Sequence, residues 1–160
     1  MNIKNLLVLF VFFALSGNLA FSQSRGGSSY STAAGLRVDF GTGWTGVGPN
    51  IKHFFNSHDA IDASLLFYDH AIGIGGEYQY NGPITGAAGL KWYAGLGPQI
   101  VFATWENGPT YLYLNPVVGL DYKITGAPID LAFDWRPAFR LTQGTDFTAG
   151  RFGLSARFTF

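Results

Sequence analysis

Residues 128–141 alternate between apolar and polar side chains with a period of two. The apolar set is Ile129, Leu131, Phe133, Trp135, Pro137, Phe139 and Leu141. The positions between them are Asp130, Ala132, Asp134, Arg136, Ala138 and Arg140. Because successive side chains of a strand point to opposite faces, this pattern predicts a strand with one apolar face and one charged face.

The same rhythm continues along most of the chain, interrupted by Gly, Asn and Pro clusters typical of turns. Eight strands are predicted, at about 34–43, 46–55, 59–69, 71–80, 90–104, 110–124, 129–142 and 150–160. The triplets at 81–83 and 107–109 read Asn-Gly-Pro and predict two of the turns. No segment shows a sustained helical period, so an all-β, antiparallel, up-and-down arrangement is predicted.

Most of the charged residues fall on one face of these strands. The set is Arg37, Asp39, Lys52, Asp62, Glu77, Lys91, Asp121, Asp130, Asp134, Arg136, Arg140, Arg151 and Arg157. Acidic and basic groups are close to balanced, so they can pair in a confined interior, where unpaired charges would be costly. We predict an interior polar network from these residues, with the apolar faces turned outward.

Composition favours this inverted arrangement. The chain of 160 residues is 48% hydrophobic and 17% aromatic but only 12% charged, whereas a typical water-soluble domain has roughly 25% charged residues. An apolar outer face suits hydrocarbon. Several aromatic residues lie near predicted strand ends, where membrane barrels carry interfacial belts. They are Tyr80, Trp92, Trp105, Tyr111 and Tyr122.

The first 22 residues read as a cleaved signal peptide. Lys4 precedes an apolar run over 6–15, and Ala20-Phe21-Ser22 fits the small-x-small cleavage rule. That run is shorter than the roughly 20 residues of a transmembrane helix. Residues 23–32 are rich in Ser and Gly and predict a flexible lead-in. The remainder is then either a secreted soluble barrel that binds a small ligand or a barrel that crosses a membrane with its strands.

Three prolines lie inside predicted strands: Pro98, Pro116 and Pro137. Each lacks an N–H and can remove a ladder hydrogen bond, and a closed barrel has no edge to hold it. With a turn near 126–127, Pro116 is predicted opposite Pro137, and Pro98 opposite residue 116 or 117. Bulges or bends could accommodate them, or the row could form a lateral seam that admits lipid.

With these features the chain resembles the small eight-stranded outer-membrane barrels of the OmpX/OmpA transmembrane-domain type, over residues 33–160. The final strand, Arg151 to Phe160, looks like the signal read by the outer-membrane barrel assembly machinery. Its signal residues would be Phe152, Leu154, Phe158 and Phe160. Both sets of connections are short, which departs from the long outer loops usual in such barrels.

The resemblance implies a cell outer-membrane location, with membrane lipid and the assembly machinery as partners. Eight strands leave a lumen that side chains fill, so a structural or envelope-maintenance role without an open channel is expected. The alternative is a lipid-binding or lipid A-modifying barrel that uses the proline seam. The sequence leaves the oligomeric state open.

Little in the sequence points to catalysis. The three histidines lie near strand ends, and no Ser-His-Asp or two-His metal spacing is convincing. There is no cysteine, which excludes a disulfide framework and thiolate chemistry. A formal net charge of zero gives a nucleic-acid partner no electrostatic support. No catalytic residue, metal site or cofactor is therefore predicted.

Overall fold

The structure is a computed structural model that describes residues 30–160. Within this range the regular elements are all strands. They are β1 (Thr32–Gly41), β2 (Trp44–Phe54), β3 (Asp59–Tyr68), β4 (Ala71–Pro83), β5 (Leu90–Ala103), β6 (Thr110–Lys123), β7 (Ile129–Trp135), β8 (Ala138–Arg140), β9 (Asp146–Thr148) and β10 (Arg151–Thr159). No helix among residues 30–160 is long and apolar enough to cross a membrane.

These segments close into an antiparallel barrel of eight strands. Each strand pairs with the next along the chain, and β1 pairs with β10 to close the ring. The seventh strand consists of β7 and β8, which are separated by Arg136 and Pro137. The eighth consists of β9 and β10, separated by Ala149 and Gly150. The predicted all-β, eight-stranded, up-and-down barrel is therefore the observed fold.

The barrel has two distinct ends. Tyr30 and Phe160 lie at one end with the connections 55–58, 84–89 and 124–128, and we call it the terminus end. The connections 42–43, 69–70, 104–109 and 141–145 lie at the other, which we call the far end. The backbone of Gly126 has a φ of 80°, which suits glycine in the tight connection between β6 and β7.

The predicted strand bounds hold closely except in two places. Asn81 does not open a turn, because β4 continues to Pro83 and buries the Asn81 side chain in the lumen. The segment 143–149, which the predicted strand bounds leave as a connection, contains β9, which pairs with β8. The predicted turn at 107–109 is present, with Asn107 at a φ of 57°.

The predicted signal peptide, residues 1–22, lies outside the described residues, as does most of the predicted lead-in. The described part of that lead-in belongs to the barrel instead. Tyr30 is 6% exposed, and β1 begins at Thr32. Tyr30 packs edge-to-face on Phe54 with ring centroids 5.2 Å apart and donates a hydrogen bond to Asp121 at 3.3 Å. Burial raises the pKa of the Tyr30 hydroxyl well above its usual range.

Candidate functional site: the charged lumen

The lumen contains two layers of ion pairs, and the first lies toward the terminus end. Arg157 is its centre: Nη1 is 2.6 Å from the Asp62 carboxylate and Nε is 2.7 Å from that of Asp130. Asp121 lies between two cations, 2.6 Å from Lys52 Nζ and 3.3 Å from Arg157 Nη2. All five side chains are buried, and they come from five different strands.

The second layer lies toward the far end and joins three arginines to three carboxylates. Its members are Arg37, Arg136, Arg151, Asp39, Glu77 and Asp134. Arg37 is 2.6 Å from both Asp39 and Asp134. Arg136 is 2.6 Å from Glu77. The three positive and three negative charges balance, so no net charge is left in this layer.

Strand geometry explains how these charges come together. Arg37 and Asp39 are two residues apart on β1, so they share a face, and the same spacing relates Asp134 to Arg136. Space for the long arginine side chains comes from glycine. A Cβ on Gly153 would lie 1.8 Å from Arg37 Nη2, so the guanidinium occupies the volume that a side chain there would need.

Uncharged polar side chains complete the filling of the lumen. Tyr93 donates to Asp134 at 2.6 Å, Lys52 donates to Asn81 at 2.8 Å, and Asn115 donates to Gln99 at 3.2 Å. Our sequence prediction named only the charged members, yet these residues follow the same period-two face. The alternation could have identified Tyr93, Gln99 and Asn115, whereas the Asn-Gly turn signal concealed Asn81.

The outer surface is apolar around the whole ring. Large hydrophobic residues with an exposure of 42% or more occur on all eight strands. One example from each is Leu36, Ile51, Phe67, Ile74, Leu96, Val118, Phe133 and Leu154. A water-soluble barrel has the opposite arrangement, with its apolar residues inside and its charges outside.

Comparison with solved structures agrees with this inverted barrel. The N-terminal β-barrel domain of Pseudomonas aeruginosa OprF superimposes with a TM-score of 0.63 and 19% identity, covering 82% of this chain and 98% of that domain. Neisserial surface protein A, NspA, superimposes with a TM-score of 0.52 and 16% identity, covering 85% of this chain and all of the other. The chain has the fold of the small eight-stranded outer-membrane barrels. No family model and no curated protein matches its sequence.

Two predicted members of the interior network lie elsewhere in this fold. Arg140 is at the far rim, where Nε donates to the carbonyl of Gly144 at 3.1 Å and the guanidinium lies 5.6 Å from the Tyr111 ring. Lys91 is only partly buried, with its ammonium group 4.8 Å from the Phe54 ring. Each lies near an end of its strand, where the alternating pattern no longer distinguishes lumen from rim.

Pro116 and Pro137 face each other across a break in the ladder. The paired residues Val118–Trp135 and Leu114–Phe139 flank this break, and the same register places the two prolines opposite one another. Leu141 donates its N–H to the carbonyl of Leu112 at 2.8 Å. Hydrogen-bonded pairs recur every second residue, so Pro116–Pro137 falls on such a pair. Both of its N–H donors are missing.

Pro98 does not join this row as predicted. Pro98 pairs with Leu114, and it is Leu96 that pairs with Pro116. Pro98 instead interrupts the ladder between β5 and its other neighbour, β4, where Gly76 and Pro98 do not pair. The row therefore consists of two facing prolines, with Pro98 two residues farther toward the far end and on a different ladder.

Proposed function

We propose that this chain is an integral outer-membrane β-barrel with a structural or envelope-maintenance role and no open channel. The observation that supports it best is the inverted distribution of side chains. Every strand presents large apolar residues outward, while eleven of the thirteen predicted network residues are buried. In a bilayer the apolar ring meets acyl chains, and closure of the barrel satisfies the backbone between strands.

Aromatic residues near both ends support the same proposal. Tyr80, Trp92 and Tyr122 lie toward the terminus end and are 41–46% exposed, with the Tyr80 and Trp92 rings 5.8 Å apart. Trp105 is 54% exposed in the connection between β5 and β6 at the far end. Aromatic side chains at these two levels suit the two membrane–water interfaces.

The lumen supports the absence of a channel. The two charge layers and the amides beside them occupy the space between the strands, and eight strands enclose only enough room for such side chains. We expect the refolded protein to give heat-modifiable migration on a detergent gel and no stable conductance in a planar bilayer. A protein that stays monodisperse without detergent would contradict the membrane proposal, and steady conductance would contradict the closed lumen.

Export and assembly belong to the same proposal. Residues 1–22 would direct export, and the outward side chains of β10 would be read by the barrel assembly machinery. Leu154, Phe158 and Phe160 are 49%, 44% and 56% exposed. Phe158→Ala with Phe160→Ala should lower the assembled fraction in outer-membrane preparations. Phe147→Ala, at an equally exposed site near the far end, is the matched control. An equal loss in the control would refute this assignment.

A second candidate function rests on the facing prolines. The missing ladder bonds between β6 and β7 weaken a lateral seam through which a lipid chain could enter, as in a lipid-binding or lipid A-modifying barrel. Mass spectrometry of envelope lipids with and without the protein tests for modification. Native mass spectrometry with Pro116→Val/Pro137→Val tests for binding. Retention of the same lipids by wild type and variant would exclude the seam.

A further inference from the structure

A cavity of about 270 Å³ opens at the far mouth of the lumen. Its lining residues are Trp44, Tyr68, Ala71, Gln99, Val101, Tyr113, Ala138, Thr148 and Arg151. Aromatic and aliphatic groups dominate this set. Among the described residues that line the cavity, Arg151 is the one that carries a charge. Ligand sites share this composition: largely apolar walls with a few directed polar groups.

The aromatic wall is held in place by its neighbours. The rings of Trp44 and Tyr68 meet at 5.8 Å in an edge-on arrangement. Glycines lie directly behind them, because a Cβ on Gly41 would be 2.5 Å from the Trp44 ring and one on Gly46 would be 2.3 Å from the Tyr68 ring. Both rings therefore lie close against the barrel wall and leave the centre of the mouth open.

Arg151 supplies hydrogen-bond donors that the protein does not use. Its Nη2 donates to Asp39 at 3.0 Å and to Gln99 at 2.6 Å. Its Nε is buried without a partner among residues 30–160, and the described hydrogen bonds of the guanidinium all use Nη2. The side chain is 5% exposed and lies 5.3 Å from the Trp44 ring. The guanidinium is thus buried, paired with Asp39 through Nη2 and in contact with an aromatic ring, and its Nε donor is unused.

We propose that this mouth cavity binds a small aromatic carboxylate. The ring would lie between Trp44, Tyr68 and Tyr113, where offset or edge-on packing of aromatic groups is favourable. The carboxylate would accept from the unused guanidinium donors of Arg151, because charge-assisted bonds of this kind are the strongest that arginine makes. The proposal goes beyond the structural role above and does not depend on it.

Size and charge select this class of ligand. The volume suits one or two fused rings and is below the roughly 300–1,000 Å³ of pockets for drug-sized ligands. A cation would meet Arg151 with no carboxylate among the described lining residues. A neutral aromatic compound would leave the donors of Arg151 unpaired in a desolvated site, which costs free energy.

The test is a titration of the refolded protein in detergent micelles with 2-naphthoate, read by the indole N–H resonances of the four tryptophans. We expect a saturable shift of Trp44, with Trp92 and Trp135 unmoved because they lie on the outer surface. The neutral analogue 2-naphthalenemethanol should bind about tenfold more weakly or worse, since it lacks the charged acceptor. Parallel shifts of all four indoles, or equal binding of the neutral analogue, would overturn the proposal.

Two variants locate the site. Thr148→Trp places an indole in the mouth without altering the ion layers, and it should abolish the Trp44 shift. Phe147→Trp adds the same side chain one residue away on the outer surface, where Phe147 is 52% exposed, and should leave binding intact. Arg151→Gln should weaken binding about tenfold or more. If folded Thr148→Trp bound 2-naphthoate as well as the wild type, the ligand proposal would be overturned. That result would be independent of the heat-modifiability and conductance tests of the structural role.

Discussion

Individual positions in the lumen leave almost no space for substitution. Gly153 shows this most clearly, because the Arg37 guanidinium occupies the position that a Cβ would take. The Asp134 carboxylate is equally constrained, accepting from Arg37, Arg136 and Tyr93 at 2.6–2.9 Å. At the residue scale, the fold therefore depends on each lumen side chain fitting both the volume and the charge of its neighbours.

Gly153→Ala should therefore be strongly destabilising. The added methyl displaces Arg37 from Asp134, and the strain plus the disturbed ion pair should cost about 2–4 kcal/mol. Gly76→Ala is the matched control, since its Cβ would meet a single described atom at 3.9 Å. Urea unfolding in lipid vesicles measures both. Similar stabilities for the two variants would contradict the packing described around Arg37.

Asp134→Asn removes one charge with little change of shape. The three arginines of this layer would then face only Asp39 and Glu77, so one buried positive charge would lack compensation. Breaking a buried pair in this way costs about 3–5 kcal/mol. Asp146→Asn on β9, an exposed position, should change the unfolding free energy by less than about 0.5 kcal/mol. If Asp134→Asn left the unfolding free energy unchanged, this would show that solvent reaches the layer.

At the scale of strands, the seventh strand is interrupted beside a pair of prolines and the eighth at Ala149 and Gly150. Between β6 and β7 the interruption removes both donors of one hydrogen-bonded pair, and Pro137 is buried there. The seventh strand is divided into β7 and β8 at this point. The division is thus a direct consequence of two prolines meeting in register.

Restoring the donors should strengthen this part of the ladder. Pro116→Val with Pro137→Val adds two N–H groups at a hydrogen-bonded pair of the ladder. Each new hydrogen bond should contribute about 0.5–1.5 kcal/mol to stability. Amide exchange of the neighbouring residues in β6 and β7 should become slower. Pro83→Val, at the exposed end of β4, is the control and should leave exchange in β6 and β7 unchanged. Unaltered exchange in the double variant would mean that the gap is set by something other than the prolines.

Strands and their faces are the part of this structure that the sequence predicts best. Alternation located all eight, because a side-chain period of two directly encodes which face each residue occupies. The turn signal was wrong at Asn81, where pairing with distant residues extends β4 to Pro83. The predicted partner of Pro98 was also wrong. The position of the turn indicated residue 116 or 117, whereas the ladder between β5 and β6 pairs Pro98 with Leu114.

The contacts within the lumen were less predictable than its composition. Charges could be assigned to one face, yet which cation meets which carboxylate depends on the tilt and stagger of the closed ring. Arg157 meets Asp62 across the barrel, and no local signal relates those positions. The mouth cavity escaped prediction for the same reason, since its walls come from distant parts of the chain.

At the scale of the whole molecule, the outer surface bears on whether the barrel lies in a membrane, as proposed, or is secreted and soluble. Phe133 lies on β7 between Leu120 of β6 and Leu154 of β10 and is 47% exposed. Facing lipid, it lies in hydrocarbon. In water, it would be part of a large exposed apolar surface, which favours aggregation.

Phe133→Arg separates these environments. In a bilayer the charged side chain should cost about 2–4 kcal/mol if it lies near the midplane, measured by urea unfolding in vesicles. Thr42→Arg, in the exposed connection between β1 and β2, should be nearly neutral. A soluble barrel would tolerate Phe133→Arg or gain solubility from it, and that result would overturn the membrane proposal.

The ion layers join segments that are far apart in the chain, and this bears on how the molecule is made. Arg37 bonds with Asp134, 97 residues later, and Lys52 bonds with Asp121, 69 residues later. A sheet inserted with only its first strands would expose these ions to lipid without their counterions. If the barrel lies in a membrane as proposed, a partly closed sheet would carry this cost until the last strand pairs, so closure of the ring should be cooperative.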